Sequence, residues 1–204
     1  MNAIHFGDLG LRIAQHLLIV SIALAIAFTI ALPLGIVSAR DARVRGPVLG
    51  ILGVIYTLPS LAVFALLIPI FGLGLVTTEI ALVGYAQMIL VRNIVVGLMA
   101  VPAPMRDAAR GLGMTDAQIF WRVDAPQALP IVIGGLRLAA VATISIATLA
   151  GKIDAGGLGA MLFAGLDNDD PARIVAGSIA AAALAIGVDA ILRRIESLAA
   201  ERAR

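Results

Sequence analysis

Two arginines stand inside otherwise apolar stretches of this 204-residue chain: Arg92, followed by Asn93, and Arg137. A charge at mid-membrane is costly, so such side chains face a bundle interior or a water path. Arg137, Ser145, Thr148 and Lys152 fall at offsets of 0, 8, 11 and 15 residues. On a helix they share one stripe roughly 80° wide. Two readings stay open. The stripe lines a polar pathway, or it is a helix–helix contact whose hydroxyls bond their own i−4 carbonyls. Arg92 and Asn93 pose a similar choice, between a pathway and snorkelling toward the inner surface.

Other chemistry is poorly supplied. Cysteine is absent, which excludes disulfides, thiolate metal sites and Cys nucleophiles. Imidazole comes only from His5 and His16, too few for a histidine metal cluster. His16 opens an apolar run and reads as an interfacial residue. The Asp167-Asn168-Asp169-Asp170 cluster lacks the ligand spacing and glycine of a calcium loop, so it reads as a solvated turn. Gly156, Gly157 and Gly159 are not followed by the Lys and Ser/Thr of a phosphate loop. They fit close helix approach or a backbone bend at membrane depth. Asp189 precedes Arg193 by four residues, an ion-pair spacing. No catalytic set emerges, and an enzyme is not expected.

The elements that position these groups follow from composition. Apolar residues make up 61% of the chain and charged residues 14%, which excludes an ordinary soluble domain and a disordered chain. Charge-free runs give an all-α membrane protein with about five transmembrane helices in a single domain. The spans read as about 17–38, 48–70, 80–101, 129–150 and 171–192. Pro59 should bend the second. Gly72, Gly74 and Glu79 mark a turn before the third, and Pro102 and Pro104 end it. Asp170 and Pro171 start the fifth as cap and first helical residue. Residues 103–126 form a polar loop with two short surface helices, parted by Gly111 and Gly113, with Thr115 capping the second. Phe120 and Trp121 in that loop are either a docking knob for a partner or part of a helix lying on lipid.

Arginine counts set the orientation. Arg40, Arg43, Arg45, Arg106, Arg110, Arg122, Arg193, Arg194, Arg202 and Arg204 follow spans one, three and five. The other side holds Arg12, Lys152 and Arg173 with most exposed acids. The positive-inside rule puts the N-terminus outside and the 103–126 loop in the cytoplasm. The Gly-rich and Asp-rich stretch from 152 to 170 then becomes an external loop. A net charge of +2 does not point to nucleic acid.

The loop also has a pattern. Asp107-Ala108-Ala109, three residues, Gly113, nine residues, then Val123-Asp124-Ala125-Pro126 resembles the EAA loop of permease subunits in ABC importers. Asp107, Val123 and Ala125 stand where that pattern has Glu, Ile and Leu. Further segments resemble the osmoprotectant branch, which takes glycine betaine, carnitine or choline. They include Tyr56-Thr57-Leu58-Pro59-Ser60-Leu61, Leu90-Val91-Arg92-Asn93 and Ala155-Gly156-Gly157-Leu158-Gly159.

The resemblance implies a multi-pass protein of the bacterial inner membrane. Its pore would form with a second permease copy or a sister permease, embedded in membrane lipid. A separate ATPase would bind ATP and Mg, with no cofactor on this chain, and an extracytoplasmic binding protein would deliver substrate. Arg106, Asp107, Ala108, Ala109, Gly113, Phe120, Trp121, Val123 and Pro126 would couple the pore to the ATPase. Tyr56 and Tyr85 lie in different spans and give no obvious aromatic cage. Rival cargoes are methionine, another amino acid or a sulfonate. A secondary transporter is a rival of another class, but the spans offer only Asp189 as an ion-coupling carboxylate.

Overall fold

A computed structural model describes residues 6–202, and every regular element among them is helical. His5 and Arg204 lie outside the described residues. The order is α1 (Phe6–Arg40), α2 (Ala42–Thr57), α3 (Ser60–Phe71), α4 (Leu75–Met99), α5 (Ala103–Gly111), α6 (Asp116–Ile119), α7 (Ala125–Leu149), α8 (Gly157–Asp167) and α9 (Pro171–Arg202). A π-turn, Phe120–Asp124, joins α6 to α7, and a 3₁₀ turn, Ala150–Ile153, follows α7.

Four stretches are long and apolar enough to cross a membrane: Asp8–Arg40, Leu75–Met99, Asp116–Ile153 and Pro171–Glu201. Even α4, with 25 residues, is about 37 Å long and exceeds the roughly 30 Å hydrocarbon layer. The pair α2–α3 makes a fifth crossing. Arg45 at the start of α2 contacts Met99 at the end of α4. Phe64 of α3 packs with Ala81 near the start of α4, and with Ala150 and Ile153 beyond the end of α7. The pair therefore runs from one end of the bundle to the other.

That crossing is not the bent helix expected over 48–70. It is broken, with a 96° angle between its halves. Leu58 and Pro59 are both extended, at φ −66°, ψ 138° and φ −62°, ψ 130°. Proline pushes the residue before it out of the helical region, so Leu58 leaves the helix as well. The Leu58 carbonyl then accepts a 2.6 Å hydrogen bond from the Tyr85 hydroxyl. Tyr56 stacks edge-on against Tyr85, with ring centroids 6.3 Å apart. The two tyrosines of separate spans meet at the break.

Two further expectations need correction. The second surface helix of the 103–126 loop is not separate, because α6, the π-turn and α7 form one 38-residue run from Asp116 to Ile153. The π-turn explains how Pro126 fits: Ala125 N–H donates to the Phe120 carbonyl, widening the turn where proline lacks a donor. The external loop over 152–170 is not all loop. It contains α8, whose Gly157, Leu158, Gly159, Met161 and Gly165 are buried. Eleven residues cannot span a bilayer, so α8 tucks into the outer end of the bundle. Glu79, read as part of a turn, lies inside α4.

The centre of the bundle is α4 against α1. They run parallel, with Gln87 Nε2 donating to the Ala27 carbonyl at 3.0 Å. Ala23, Ala27 and Ala31 of α1 are fully buried. At Gly35 an added Cβ would lie 2.6 Å from the Ile94 side chain. Small residues let backbones approach where lipid offers no hydrophobic contrast. The most apolar window of α4 is 56% buried, against 6% for α9, which closes the bundle from outside. The ends of α1, α4 and α9 gather with α5 and α6 at the arginine-rich end. The positive-inside rule makes that end cytoplasmic.

Candidate functional site

At the cytoplasmic end, local chemistry builds the turn between α5 and α6. Gly113 has φ +77°. Its N–H donates to the Arg110 carbonyl at 2.9 Å, and Met114 N–H donates to the Ala109 carbonyl at 3.1 Å. This pair of bonds closes α5 with the left-handed cap that glycine provides without a Cβ penalty. Two residues on, Thr115 opens α6 with a capping box. Gln118 N–H donates to Thr115 Oγ1, and Thr115 N–H donates to Gln118 Oε1 at 2.9 Å.

Arg106 fastens this turn to the membrane helices. Its Nε donates to Asp124 Oδ1 at 2.6 Å in the π-turn, and an η nitrogen donates to the Leu98 carbonyl at 2.7 Å near the end of α4. Asp107 and Ala108 are exposed, while Ala109 is buried against the bundle. Among the described residues Asp107 pairs with Arg110, at 3.4 Å on the open surface.

Phe120 and Trp121, expected to act together, are split. Their rings touch edge-on at 5.1 Å. Phe120 turns inward onto the α1–α4 core, with the Arg40 guanidinium 5.3 Å over its face. Trp121 points outward and is 71% exposed. It borders an apolar hollow of about 560 Å³ between α7 and α9, which Pro126, Leu129 and Leu198 also line. Val123 is half-buried and Pro126 exposed. A second hollow, of about 450 Å³, opens beside Arg40, Arg106, Arg110 and Asp116. The cytoplasmic face thus presents arginine, acid and one tryptophan around an open depression.

The candidate pathway residues are not held as a set. Arg137 reaches across to α9, with Asp189 and Glu196 each 3.0 Å away. Asp189 also pairs with Arg193, as its spacing implied, at 2.5 Å. Ser145 and Thr148 donate to the carbonyls of Val141 and Ile144, four residues back, each at 3.1 Å. Lys152 lies 3.3 Å from Asp167, with its ammonium 5.5 Å from the Phe163 ring centroid. Asn93 donates to the Ile89 carbonyl at 2.8 Å, and its Cβ packs on the bare face of Gly135. Arg92 is exposed.

Sequence reasoning missed Glu196. Its seven-residue spacing from Asp189 was the available signal, since two helical turns place both carboxylates on one face. Gly134 leaves room for the Glu196 carboxylate beside α7.

His16, expected at the interface, is fully buried. Its Nε2–H donates to the Ile144 carbonyl at 3.1 Å. Gly157, at φ +65°, brings the start of α8 onto the ring. Behind it, Gly151 and Gly159 pack backbone on backbone. A Cβ on Gly159 would lie 2.0 Å from the Thr148 carbonyl oxygen, and one on Gly151 would lie 2.1 Å from the Gly159 carbonyl carbon. Asp170 accepts the Ala172 and Arg173 N–H groups at the start of α9.

The helical bundle, its arginine-rich inner end and the capped loop define a multi-pass permease-type protein of the membrane. The chain belongs to the family described as "Binding-protein-dependent transport system inner membrane component", which matches residues 31–201. It is 36% identical to an "Osmoprotectant import permease protein OsmW" of Salmonella typhimurium, over 96% of each chain. It is 38% identical to a "Carnitine transport permease protein OpuCB" of Listeria monocytogenes, over 89% of this chain and 84% of that one. A "Choline transport system permease protein OpuBB" of Bacillus subtilis is 36% identical, over 91% and 86% of the two chains. Among solved structures, an inward-facing MetNI methionine ABC transporter chain superposes with a TM-score of 0.77. It covers 93% of this chain and 97% of its own length at 21% identity, a likeness of fold.

Proposed function

We propose that this inner-membrane permease subunit imports quaternary ammonium osmoprotectants, a class that includes glycine betaine, carnitine and choline. The observation that carries the reading is relatedness over nearly the whole chain to permeases named for osmoprotectant, carnitine and choline transport. Two permease subunits enclose the path, a separate ATPase binds ATP and Mg, and an extracytoplasmic binding protein supplies substrate. The chain itself is a conduit and not an enzyme.

Coupling runs through the α5–α6 turn. Asp107, Ala108 and Trp121 present the docking face. Arg106 links that face to Leu98 at the end of α4 and to Asp124 at the root of α7. Movement of the turn therefore reaches α4, the helix against which α1, α2 and α7 pack. Phe120 serves as the inner linkage beneath Arg40 and not as a knob beside Trp121.

The test is uptake of labelled glycine betaine and choline in cells lacking their own betaine transporters. The chain is expressed with its cognate ATPase and binding protein. Saturable, ATP-dependent uptake that other quaternary amines compete supports the assignment. Its absence from a correctly assembled complex overturns the cargo and turns the search to methionine and sulfonates.

A further inference from the structure

The two arginines of the membrane region have opposite environments. Arg137 is neutralised by Asp189 and Glu196. Arg92 has no acidic partner among the described residues, and its side chain is exposed. It shares an open stripe of α4 with Val96 and Met99, also exposed. The remaining faces of α4 are covered by α1, α2, α3 and α7.

Snorkelling of Arg92 would run against the geometry of its own helix. Arg92 lies seven residues before Met99, the last residue of α4, or about 10 Å from the inner end at 1.5 Å per residue. Side chains on a helix lean toward its N-terminus. The N-terminus of α4 is its outer end, so a snorkelling Arg92 would have to turn back against that lean to reach the inner surface. A guanidinium held there without a carboxylate needs water or a transported anion beside it.

The cargo proposed above contains that anion in part. Glycine betaine and carnitine carry a carboxylate as well as a quaternary ammonium group, whereas choline carries a hydroxyl instead. We propose that Arg92 lines the water-filled transport path and receives the carboxylate of zwitterionic substrates, so that the permease favours them over choline. The carboxylate role rests on the osmoprotectant reading; the position of Arg92 on the path does not. The planar guanidinium fork suits a carboxylate bidentately, which a lysine ammonium cannot match.

The chain has no cysteine, so single cysteines report position directly. In the assembled complex in membranes, Arg92→Cys and Val96→Cys should react with a charged, membrane-impermeant thiol reagent. Ile186→Cys, on the exposed apolar face of α9, sets the lipid background. Reaction at 92 and 96 no faster than at 186 overturns the path assignment. In uptake, Arg92→Gln should raise the KM for glycine betaine about tenfold to a hundredfold, the loss expected for charge-assisted hydrogen bonds. Choline, a cation with no carboxylate for Arg92 to receive, should lose no uptake, and Arg92→Lys should fall between for glycine betaine. Equal losses for both substrates, or an unchanged KM for glycine betaine, overturn the carboxylate role. A wild-type complex that moves neither substrate while 92 still labels removes the cargo and the carboxylate role together, and leaves the path assignment standing.

Discussion

The two ends of the bundle are held by different forces. The inner half uses side chains: Arg106 on Asp124 and Leu98, Arg40 over Phe120, and Arg137 between Asp189 and Glu196. Each of these contacts is made by side chains, which can turn aside without moving a helix. The outer end uses backbone against backbone, at Gly151, Gly157 and Gly159, around a fully buried histidine. Backbone in such contact cannot swing aside as a side chain can. An end that must follow a moving partner suits exchangeable polar contacts. An end that must hold several helices in register suits a dry glycine seam.

The sharpest way to break this contrast is Gly159→Ala. Its Cβ would fall 2.0 Å from a carbonyl oxygen whose own helix is fixed. Overpacking ordinarily costs about 1–3 kcal/mol and more when backbone must move. The expected result is loss of assembled complex, read as recovery and thermal stability of the purified transporter. Alanine tolerated at 159 with an unchanged midpoint would show the seam to be soft. At the inner end, Gly113→Pro or deletion of 107–113 should instead abolish uptake while membrane insertion persists. Proline fixes φ near −65°, against the observed +77°, and removes the N–H that donates to Arg110. The break stays within a surface turn, so the bundle remains. Normal uptake by either variant would sink the coupling role of the loop.

The same contrast explains what the sequence made legible. The inner loop follows local rules: a left-handed glycine, a Thr-to-Gln capping box and a proline entering a helix act within a few residues, so their spacing is readable. The spans are readable because runs without charge have one cheap environment. The outer end depends on distant pairings. His16 bonds a carbonyl 128 residues away, and nothing in its neighbourhood announces that burial. Gly156 to Gly159 read as a loop because helix propensity counts against glycine, yet that bareness is what lets α8 pack. The break at Pro59 was legible as a bend, but its angle belongs to tertiary structure. Phe120 and Trp121 look equivalent as neighbours, although adjacent helical positions point about 100° apart.

The smallest expected effect lies within the inner half, and it tests whether redundancy is what makes that half adaptable. Arg137 meets two carboxylates, and one of them, Asp189, also holds Arg193. Glu196→Gln keeps side-chain volume and leaves Arg137 with Asp189. The two side chains are 23% and 31% exposed, but the contacting Arg137 Nε and Glu196 Oε2 are buried; because Arg137 keeps Asp189, the loss should be no more than about 2 kcal/mol. It should change little with salt, because a buried pair is screened far less than an exposed one. Asp189→Asn should cost more than Glu196→Gln, because it weakens two arginine contacts and leaves Arg137 reliant on a partner near the end of α9. Thermal midpoints of the purified complex at low and high salt decide between the alternatives. If Glu196→Gln is the more damaging, the network is a single fixed clamp between α7 and α9. The inner half would then be as rigid as the outer end, with motion confined to the α5–α6 turn.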